Sequence, residues 1–201
     1  MSAARSAVLL GALLGGGCAT FRPPQPGVMT RAQASGTYSA EIRASLRGPQ
    51  GRGRMNALVA FRRPDDLRIE VPGPAGPRLT IVASRGTVTS VFTEDRAVFT
   101  GPATADTVDA ILGVALSPGE IMDLLVGRAS SPSIVSARFG WGANGPDEID
   151  ARFNDGSQLR VHVRGIELGR EYPEAAFRPP PHDGYRPIQA DEVADILGRR
   201  R

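Results

Sequence analysis

The side chains in this sequence that could do chemistry are few and lie far apart along the chain. Its two histidines, His162 and His182, belong neither to a zinc-binding H-E-x-x-H pattern nor to a G-x-S-x-G nucleophile elbow. The chain contains no lysine, which excludes Schiff-base chemistry and a phosphate loop of the Walker type. Acidic pairs such as Asp65-Asp66 and Glu94-Asp95 stand at expected element ends, where turns and helix caps account for them. These patterns predict no catalytic residue and no metal site.

One glycine pattern matches the fingerprint of dinucleotide-binding proteins. Gly140 to Gly145 reads G-x-G-x-x-G and follows a predicted strand. A dinucleotide site needs a helix directly after this pattern, because the helix N-terminus holds the pyrophosphate. The following residues, Pro146 to Phe153, read as a turn and a strand. The pattern therefore predicts a hairpin loop, and we expect no cofactor.

The only cysteine, Cys18, follows a segment with the features of a secretory signal. A lone cysteine excludes an intramolecular disulfide and a cysteine-based metal site. The short start carries one positive charge at Arg5, and the apolar run 6–14 is shorter than the ~20 residues that a membrane-spanning helix needs. Three glycines, 15–17, then lead into Cys18. This order predicts a signal peptide over residues 1–17.

The small residues before Cys18 resemble the lipobox of bacterial lipoproteins, although Gly15 stands where Leu is usual. The resemblance implies cleavage before Cys18 and acylation of the cysteine with chains such as palmitate. Each buried methylene contributes ~0.8 kcal/mol, so two or three chains give a stable anchor without a transmembrane helix. Ala19 and Thr20 provide no acidic retention signal, which favours the outer membrane, facing the periplasm. The alternative is a plain signal peptide with an incidental cysteine.

Length and charge limit the remaining possibilities. The chain has 201 residues, of which 41% are hydrophobic and 22% charged, as in a single globular domain with tails. The 24 basic residues, all arginine, and 21 acidic residues give a net charge of +3. This excess is spread along the sequence, so we expect no nucleic-acid partner.

The sequence after Cys18 predicts a mainly β protein. Residues 18–35 hold three prolines and little periodicity, and we interpret them as the lipidated cysteine and a flexible tether. Alternating apolar residues then mark about ten short strands, with turn residues at intervals of about 8 to 12, as in an antiparallel sheet. Leu67, Ile69 and Val71 are expected to face inward from one strand. The domain covers 36–188, and 189–201 form a C-terminal tail.

The apolar spacing becomes helical near Asp106. Ser117 and Glu120 form a capping-box pattern around Pro118, and Gly127 stands where a helix should end. These residues predict two short helices inserted between strands. A last short strand is expected at 175–177, and 191–197 could form a short helix. The two inserted helices are the only mid-chain elements available to cover the inner face of the sheet.

The stretch from Leu67 to Val126 resembles the outer-membrane lipoprotein receptor LolB and its relatives in the LolA/LolB superfamily. The shared order is a strand, a Pro/Gly turn, two strands, a short strand and two helices. The segment 176–185 also resembles the Phe-x-x-x-Pro-x-Gly close of that superfamily. The resemblance implies an unclosed antiparallel β-barrel with a helical lid over an apolar cavity, and makes 36–188 a LolB-like half-barrel domain.

The same resemblance implies that the cavity takes up acyl chains of lipoproteins or lipids, with no enzymatic chemistry. Partners would be the outer membrane, through the lipid anchor, and a LolA-like periplasmic carrier. A loop of LolB carries an exposed Leu that helps deliver lipid to the membrane, and Ala75 is the nearest position here. The expected cavity residues are Leu67, Ile69, Leu79, Ile81, Ile111, Leu112, Ile121, Leu124 and Leu125.

Three hypotheses follow from these observations. The first is a lipid-anchored chaperone-like module that shelters acyl chains during lipoprotein transport to the outer membrane. The second is a structural or scaffolding envelope lipoprotein with a packed core and no lipid ligand. The third is an enzyme acting on lipid or glycan, which no motif supports.

Overall fold

A computed structural model describes residues 21–49 and 51–198. The expected signal peptide, Cys18 and the first residues of the expected tether lie outside these described residues. The strands within them are β1 (Thr37–Gly48), β2 (Gly51–Arg62), β3 (Asp66–Gly73), β4 (Gly76–Ser84), β5 (Thr87–Phe92), β6 (Ala97–Pro102), β7 (Ile134–Trp141), β8 (Pro146–Phe153), β9 (Gln158–Leu168) and β10 (Arg186–Pro187). The helices are α1 (Val28–Ala34), α2 (Ala105–Leu112), α3 (Pro118–Leu125) and α4 (Ala190–Ile196), with a 3-10 helix at Glu174–Phe177.

All ten strands belong to one sheet, in the order β10-β6-β5-β4-β3-β2-β1-β9-β8-β7. Neighbouring strands are antiparallel except the short β10, which pairs with β6 in parallel. β1 lies between two meanders, since it pairs with β2 on one edge and with β9 on the other. The sheet does not close, because β10 and β7 are its two edges. The expected fold class, mainly β with an unclosed antiparallel sheet and a helical lid, is confirmed.

Alternation along β3 places its apolar side chains on the inner face of the sheet, opposite alternate residues of β4, although Thr80 and Val82 of β4 are buried on the other face. Ile69 lies opposite Ile81, and Val71 lies opposite Leu79. All four side chains are buried. Because the side-chain period of a strand is two, this register also sends the intervening polar residues to the other face. The inner face predicted for Leu67, Ile69 and Val71 is confirmed.

Helices α2 and α3, called the cover helices below, occupy the connection from β6 to β7 and lie against the inner face. Thr104 caps α2, and Ser117 caps α3 in a complete capping box with Glu120. α3 contacts both β3 and β8, which lie on opposite sides of β1 in the sheet. The sheet must therefore curve around α3. The two predicted helices and the capping box are confirmed.

The structure differs from the sequence expectations near both ends. Residues 28–34, assigned above to the flexible tether, form α1, with Val28 and Ala32 buried. These two residues are four apart and share one helix face, a stripe too short to stand out as periodicity. The strand expected at 175–177 is wrong, because a 3-10 helix after Pro173 buries Phe177 instead. The helix expected in the C-terminal tail is confirmed as α4, which packs on α2 through the described part of the tail.

We expect Ser117→Ala to lower the free energy of unfolding by about 1 kcal/mol. The Ser117 hydroxyl accepts from the Glu120 amide and donates to the Glu120 carboxylate, and both bonds are lost. Urea denaturation followed by circular dichroism measures the change. The matched control is Ser136→Ala, at an exposed serine of β7, where the change should stay within about 0.5 kcal/mol. Equal losses in both variants would contradict the capping role.

Candidate functional site

The nine residues expected to line an acyl cavity meet in a single hydrophobic cluster between the sheet and the cover helices. β3 supplies Leu67 and Ile69, and β4 supplies Leu79 and Ile81. The cover helices supply the remaining five, which are Ile111, Leu112, Ile121, Leu124 and Leu125. The fold thus brings together residues from four separate elements on one apolar interior.

This interior is closed and packed. Leu112 and Ile121 are partly buried against the cluster. The other seven side chains are only 2–5% exposed: Leu67, Ile69, Leu79, Ile81, Ile111, Leu124 and Leu125. A hollow wide enough for a hydrocarbon tail would leave its lining accessible to water-sized molecules. An acyl chain can therefore enter among these residues only when the cover helices move.

Two clefts among the described residues open at the protein surface, and the first borders the cluster through Ile166 and Leu168. The first, of about 610 Å³, lies between α1, the β7–β8 loop and the end of β9, and includes Arg31, Asn144 and Arg170. The second, of about 590 Å³, includes Asp66 and Glu174. Both are bordered by charged side chains, so neither offers the apolar surroundings that an acyl chain prefers.

An ion pair joins α3 to the turn that follows β2. The Arg63 guanidinium donates to the Asp123 carboxylate across 2.6 Å, and Arg128 lies 3.9 Å from the same oxygen. Partial burial alone would raise the pKa of Asp123. Hydrogen bonds from Arg63 and Ser130, together with the two guanidinium charges, outweigh burial and lower this pKa below its ordinary value. This pair, called the latch below, favours the closed position of α3.

The end of α3 fits tightly against the edge strand β7. Gly127 has a φ of +81°, which ends the helix in the left-handed conformation that glycine tolerates. A Cβ atom at Gly127 would lie 2.6 Å from the Trp141 ring. Helix α3 is therefore fixed in two ways. Gly127, just after its C-terminal end, packs against Trp141, and Asp123 forms the ion pair with Arg63.

Two hydroxyl groups inside the apolar interior have no hydrogen-bond partner among the described residues. They belong to Tyr38 on β1 and Ser90 on β5, both fully buried. Burial also raises the pKa of the Tyr38 hydroxyl, so this group remains a proton donor. The Tyr38 ring stacks on Phe61 at 5.0 Å between ring centres. An unpartnered buried hydroxyl lowers stability by about 1–3 kcal/mol. Sequence patterns missed both, because each stands at an inward position that an apolar residue could equally occupy.

The remaining residues singled out by sequence lie outside this interior. Ala75 is exposed at the tip of the β3–β4 hairpin. His162 is exposed on the outer face of β9, and the His182 ring nitrogen Nδ1 lies 2.9 Å from the Pro180 carbonyl oxygen. The Gly140–Gly145 pattern joins β7 to β8, as its hairpin prediction stated.

Two further findings concern the described residues as a whole. They hold no group of three or more His, Cys, Asp or Glu side chains placed to bind a metal ion. None of their helices has the length and apolar character required to traverse a bilayer.

No protein-family profile and no curated protein sequence matches this chain. Among solved structures, it is similar to the LolA superfamily protein NE2245 from Nitrosomonas europaea, with 8% identity, a TM-score of 0.48, and coverage of 76% of this chain and 96% of the other. An uncharacterized conserved protein from Thermus thermophilus has 12% identity, a TM-score of 0.45, and coverage of 80% and 96%. A DUF1329 family protein from Desulfovibrio piger has 10% identity, a TM-score of 0.43, and coverage of 75% and 92%. The likeness concerns the fold alone.

We expect Asp123→Asn to remove a pH-dependent part of the stability. The folded pKa of Asp123 is lowered, so its ionised form stabilises the fold at neutral pH. That contribution disappears as the pH falls from the unfolded value of about 3.9 through the lower folded value. In urea denaturation, the variant should be about 1 kcal/mol less stable than wild type near neutral pH, and equal to it below both values.

The control for this experiment is Asp65→Asn, at an exposed carboxylate that forms no ion pair with the described residues. It should follow the wild-type pH profile. A loss for Asp123→Asn that is the same at neutral and at strongly acid pH would contradict the latch.

Proposed function

We propose that this protein binds acyl chains between its sheet and its cover helices, as a lipid-anchored periplasmic lipoprotein acting in lipoprotein localisation to the outer membrane. The observation that carries the proposal is the interior itself. It is apolar, it is closed by two short helices, of which α3 is joined by an ion pair to the turn after β2, and it contains two hydroxyls without partners among the described residues.

The apolar surface supplies the driving force for binding. Each methylene that moves from water into the interior contributes about 0.8 kcal/mol, so a long chain can offset the separation of the cover from the sheet. Part of this binding free energy is needed to break the latch, because the cover helices have to separate from the sheet before the chain can enter. Transfer to a second site then requires no covalent step, only an exchange of one apolar environment for another.

The two hydroxyls suggest where the polar end of the ligand lies. The carbonyl of a fatty acid or an acyl ester can accept a hydrogen bond from Tyr38 or Ser90, and this would satisfy a group that is unpartnered in the closed interior. The free protein carries the free-energy cost of a buried hydroxyl without a partner. Binding removes this cost, which increases the affinity for the ligand.

The wider assignments belong to the same proposal. Residues 1–17 would be the signal peptide, and Cys18 with the tether up to residue 35 would carry the anchor. Residues 36–188 would form the LolB-like half-barrel and 189–201 the tail. Partners would be acyl chains of lipoproteins or lipids, the outer membrane and a LolA-like periplasmic carrier, with Ala75 facing the membrane. The proposed activity is binding, without catalysis or a cofactor.

A fluorescent fatty acid tests the proposal directly, using the full chain with Cys18→Ser so that its own acyl groups do not compete. We expect stoichiometric binding. Asp123→Asn should bind about fivefold more tightly, because losing about 1 kcal/mol of latch energy makes opening easier. The control Asp65→Asn, which keeps the latch, should bind the fatty acid with the same affinity as the parent. If neither the parent nor Asp123→Asn binds, the proposal is wrong.

Tyr38→Phe separates a ligand contact from ordinary packing. Removing the unpartnered hydroxyl should raise the free energy of unfolding by about 1 kcal/mol, while affinity for the fatty acid falls severalfold. Denaturation and the same fluorescence titration measure both quantities. Tyr185→Phe, at a partly exposed ring beside Arg96, should change neither. Lower stability with unchanged affinity would contradict a role for Tyr38 in binding.

The close packing of the interior favours a second candidate, a scaffolding envelope lipoprotein with no lipid ligand. Native mass spectrometry of protein purified from a lipid-containing host distinguishes the two. A stoichiometric lipid supports acyl binding. A lipid-free protein that also rejects the fluorescent probe supports the scaffold.

A further inference from the structure

The outer face of five adjacent strands carries a concentration of positive charge that the sequence does not reveal. Arginines from β2, β1, β9, β8 and β7 alternate with the buried inner residues, so they share the outer face. Eight arginines stand there, against the acidic residues Glu41, Glu148 and Asp150. The eight, called the basic face below, are Arg43, Arg47, Arg52, Arg54, Arg138, Arg152, Arg160 and Arg164. The charge excess is spread along the sequence, but the folded sheet gathers these arginines on one face.

Strand register aligns these residues in rows across the sheet. One row runs from Arg52 through Arg47 and Gln158 to Arg152, and Arg47 lies directly opposite Arg52. Like charges directly opposite each other destabilise an antiparallel pair. A sheet shaped by stability alone would not place two arginines there.

Most of this charge is not neutralised within the described residues. Asp150 is buried on this face, where Arg138 and Arg160 approach it at 3.4 and 3.1 Å. Burial alone would raise the pKa of Asp150, but hydrogen bonds from Gln158 and Arg160 and the two charges lower it. The other six arginines form no ion pair with an acidic side chain of the described residues: Arg43, Arg47, Arg52, Arg54, Arg152 and Arg164.

The neighbouring strand β3 shows what a neutralised outer face looks like. Arg62 pairs with Asp66, and Arg68 pairs with Glu70, at the same sheet surface. Among the described residues, Arg78 on β4 and Arg96 after β5 also form no ion pair, but most of the unpaired arginines of the sheet lie in the half built from β2, β1, β9, β8 and β7. Neighbouring strands lie about 4.8 Å apart, so these five form a band about 19 Å wide.

The N-terminal segment approaches this band. The Phe21 ring lies 4.7 Å from the Arg138 guanidinium, and the Arg22 carbonyl accepts from the Trp141 amide at the edge strand β7. Cys18 precedes Phe21 by three residues, which span at most about 11 Å. A lipid attached at Cys18 therefore holds Arg138 close to the bilayer.

We infer that the basic face docks on a bilayer surface containing anionic phospholipids. This inference rests on the proposed lipid anchor for its orientation, and not on acyl binding. Guanidinium groups suit the partner, because each can bind a phosphate through two parallel hydrogen bonds. None of the outward side chains of these strands is Phe, Tyr or Trp, and a row of such stacking groups is typical of single-stranded nucleic-acid sites.

Vesicle partitioning of the full chain with Cys18→Ser tests the inference. The readout is the ratio of binding to vesicles with about 30% phosphatidylglycerol over binding to phosphatidylcholine alone, which cancels any charge-independent contribution of the N-terminal apolar run. We expect a ratio far above one that decreases as salt shortens the screening distance from about 8 Å to about 3 Å. Each arginine in contact with such a surface contributes about fivefold, so replacing Arg43, Arg47, Arg52 and Arg54 with Gln should lower the ratio by between about 25-fold, the effect of two such contacts, and about 600-fold, the effect of four.

Two variants make the result decisive. Replacing Arg85, Arg96, Arg178 and Arg186 with Gln removes the same charge from exposed positions near β5, β6 and β10, and should leave the ratio within about twofold. Substituting Lys for the same four basic-face arginines keeps the charge and should restore most of the ratio, which excludes misfolding as the cause. Equal losses in the two Gln variants, or a parent ratio near one, would overturn the inference.

The remaining outcomes are also distinguishable. If the parent binds a DNA duplex through the same four arginines and shows no preference for anionic vesicles, the face is a nucleic-acid site and the membrane assignment is wrong. The fatty-acid titration contains no vesicles, and the four substitutions lie on the face opposite the interior. Loss of acyl binding and loss of vesicle preference are therefore independent results.

Discussion

The pairing of β1 along both edges is the interaction on which the rest of the structure depends. β2 follows β1 directly in sequence, whereas β9 returns only after six further strands, β3 to β8, and the cover helices. This pairing unites two meanders into one sheet, and without it each would expose its own apolar face. The large apolar cluster lies on the inner face of the joined sheet, so the sheet has to curve around a separate cover. The position of α3 against both β3 and β8 is the consequence.

The inner face of the sheet is apolar, and the outer face of five strands is positively charged. Each face contains a feature that lowers the stability of the free protein. The inner face buries hydroxyls that find no partner, and the outer face aligns arginines opposite one another. Neither feature helps an isolated domain to fold. Both become favourable when a ligand carbonyl or an anionic surface supplies the missing partner. Both proposed functions, acyl binding and membrane docking, therefore use groups that lower the stability of the free protein.

Much of the fold could be predicted from local patterns. The alternation in Leu67 to Val71 placed an inner face, and Ser117, Glu120 and Gly127 marked the limits of α3. The elements that were missed are short. α1 buries two residues, and the 3-10 helix that buries Phe177 replaced an expected strand, because both depend on contacts with distant parts of the chain. The sequence also showed that the nine interior residues are apolar. It could not show whether they enclose a hollow or form a packed cluster, because that depends on how distant elements pack.

By itself, the sequence determined the spacing of the strands, the two capped helices and the lack of catalytic motifs. Each of these features depends on residues that lie close together in the sequence. Only the tertiary structure decided how the latch joins Arg63 to Asp123, how the interior closes, and how arginines from five strands share one face. The physical reason is register. The alternation of apolar and polar residues predicts which face of the strand each side chain occupies. The hydrogen-bond register between strands decides which distant residues become neighbours. Charge that is evenly spread in sequence can therefore become concentrated in space.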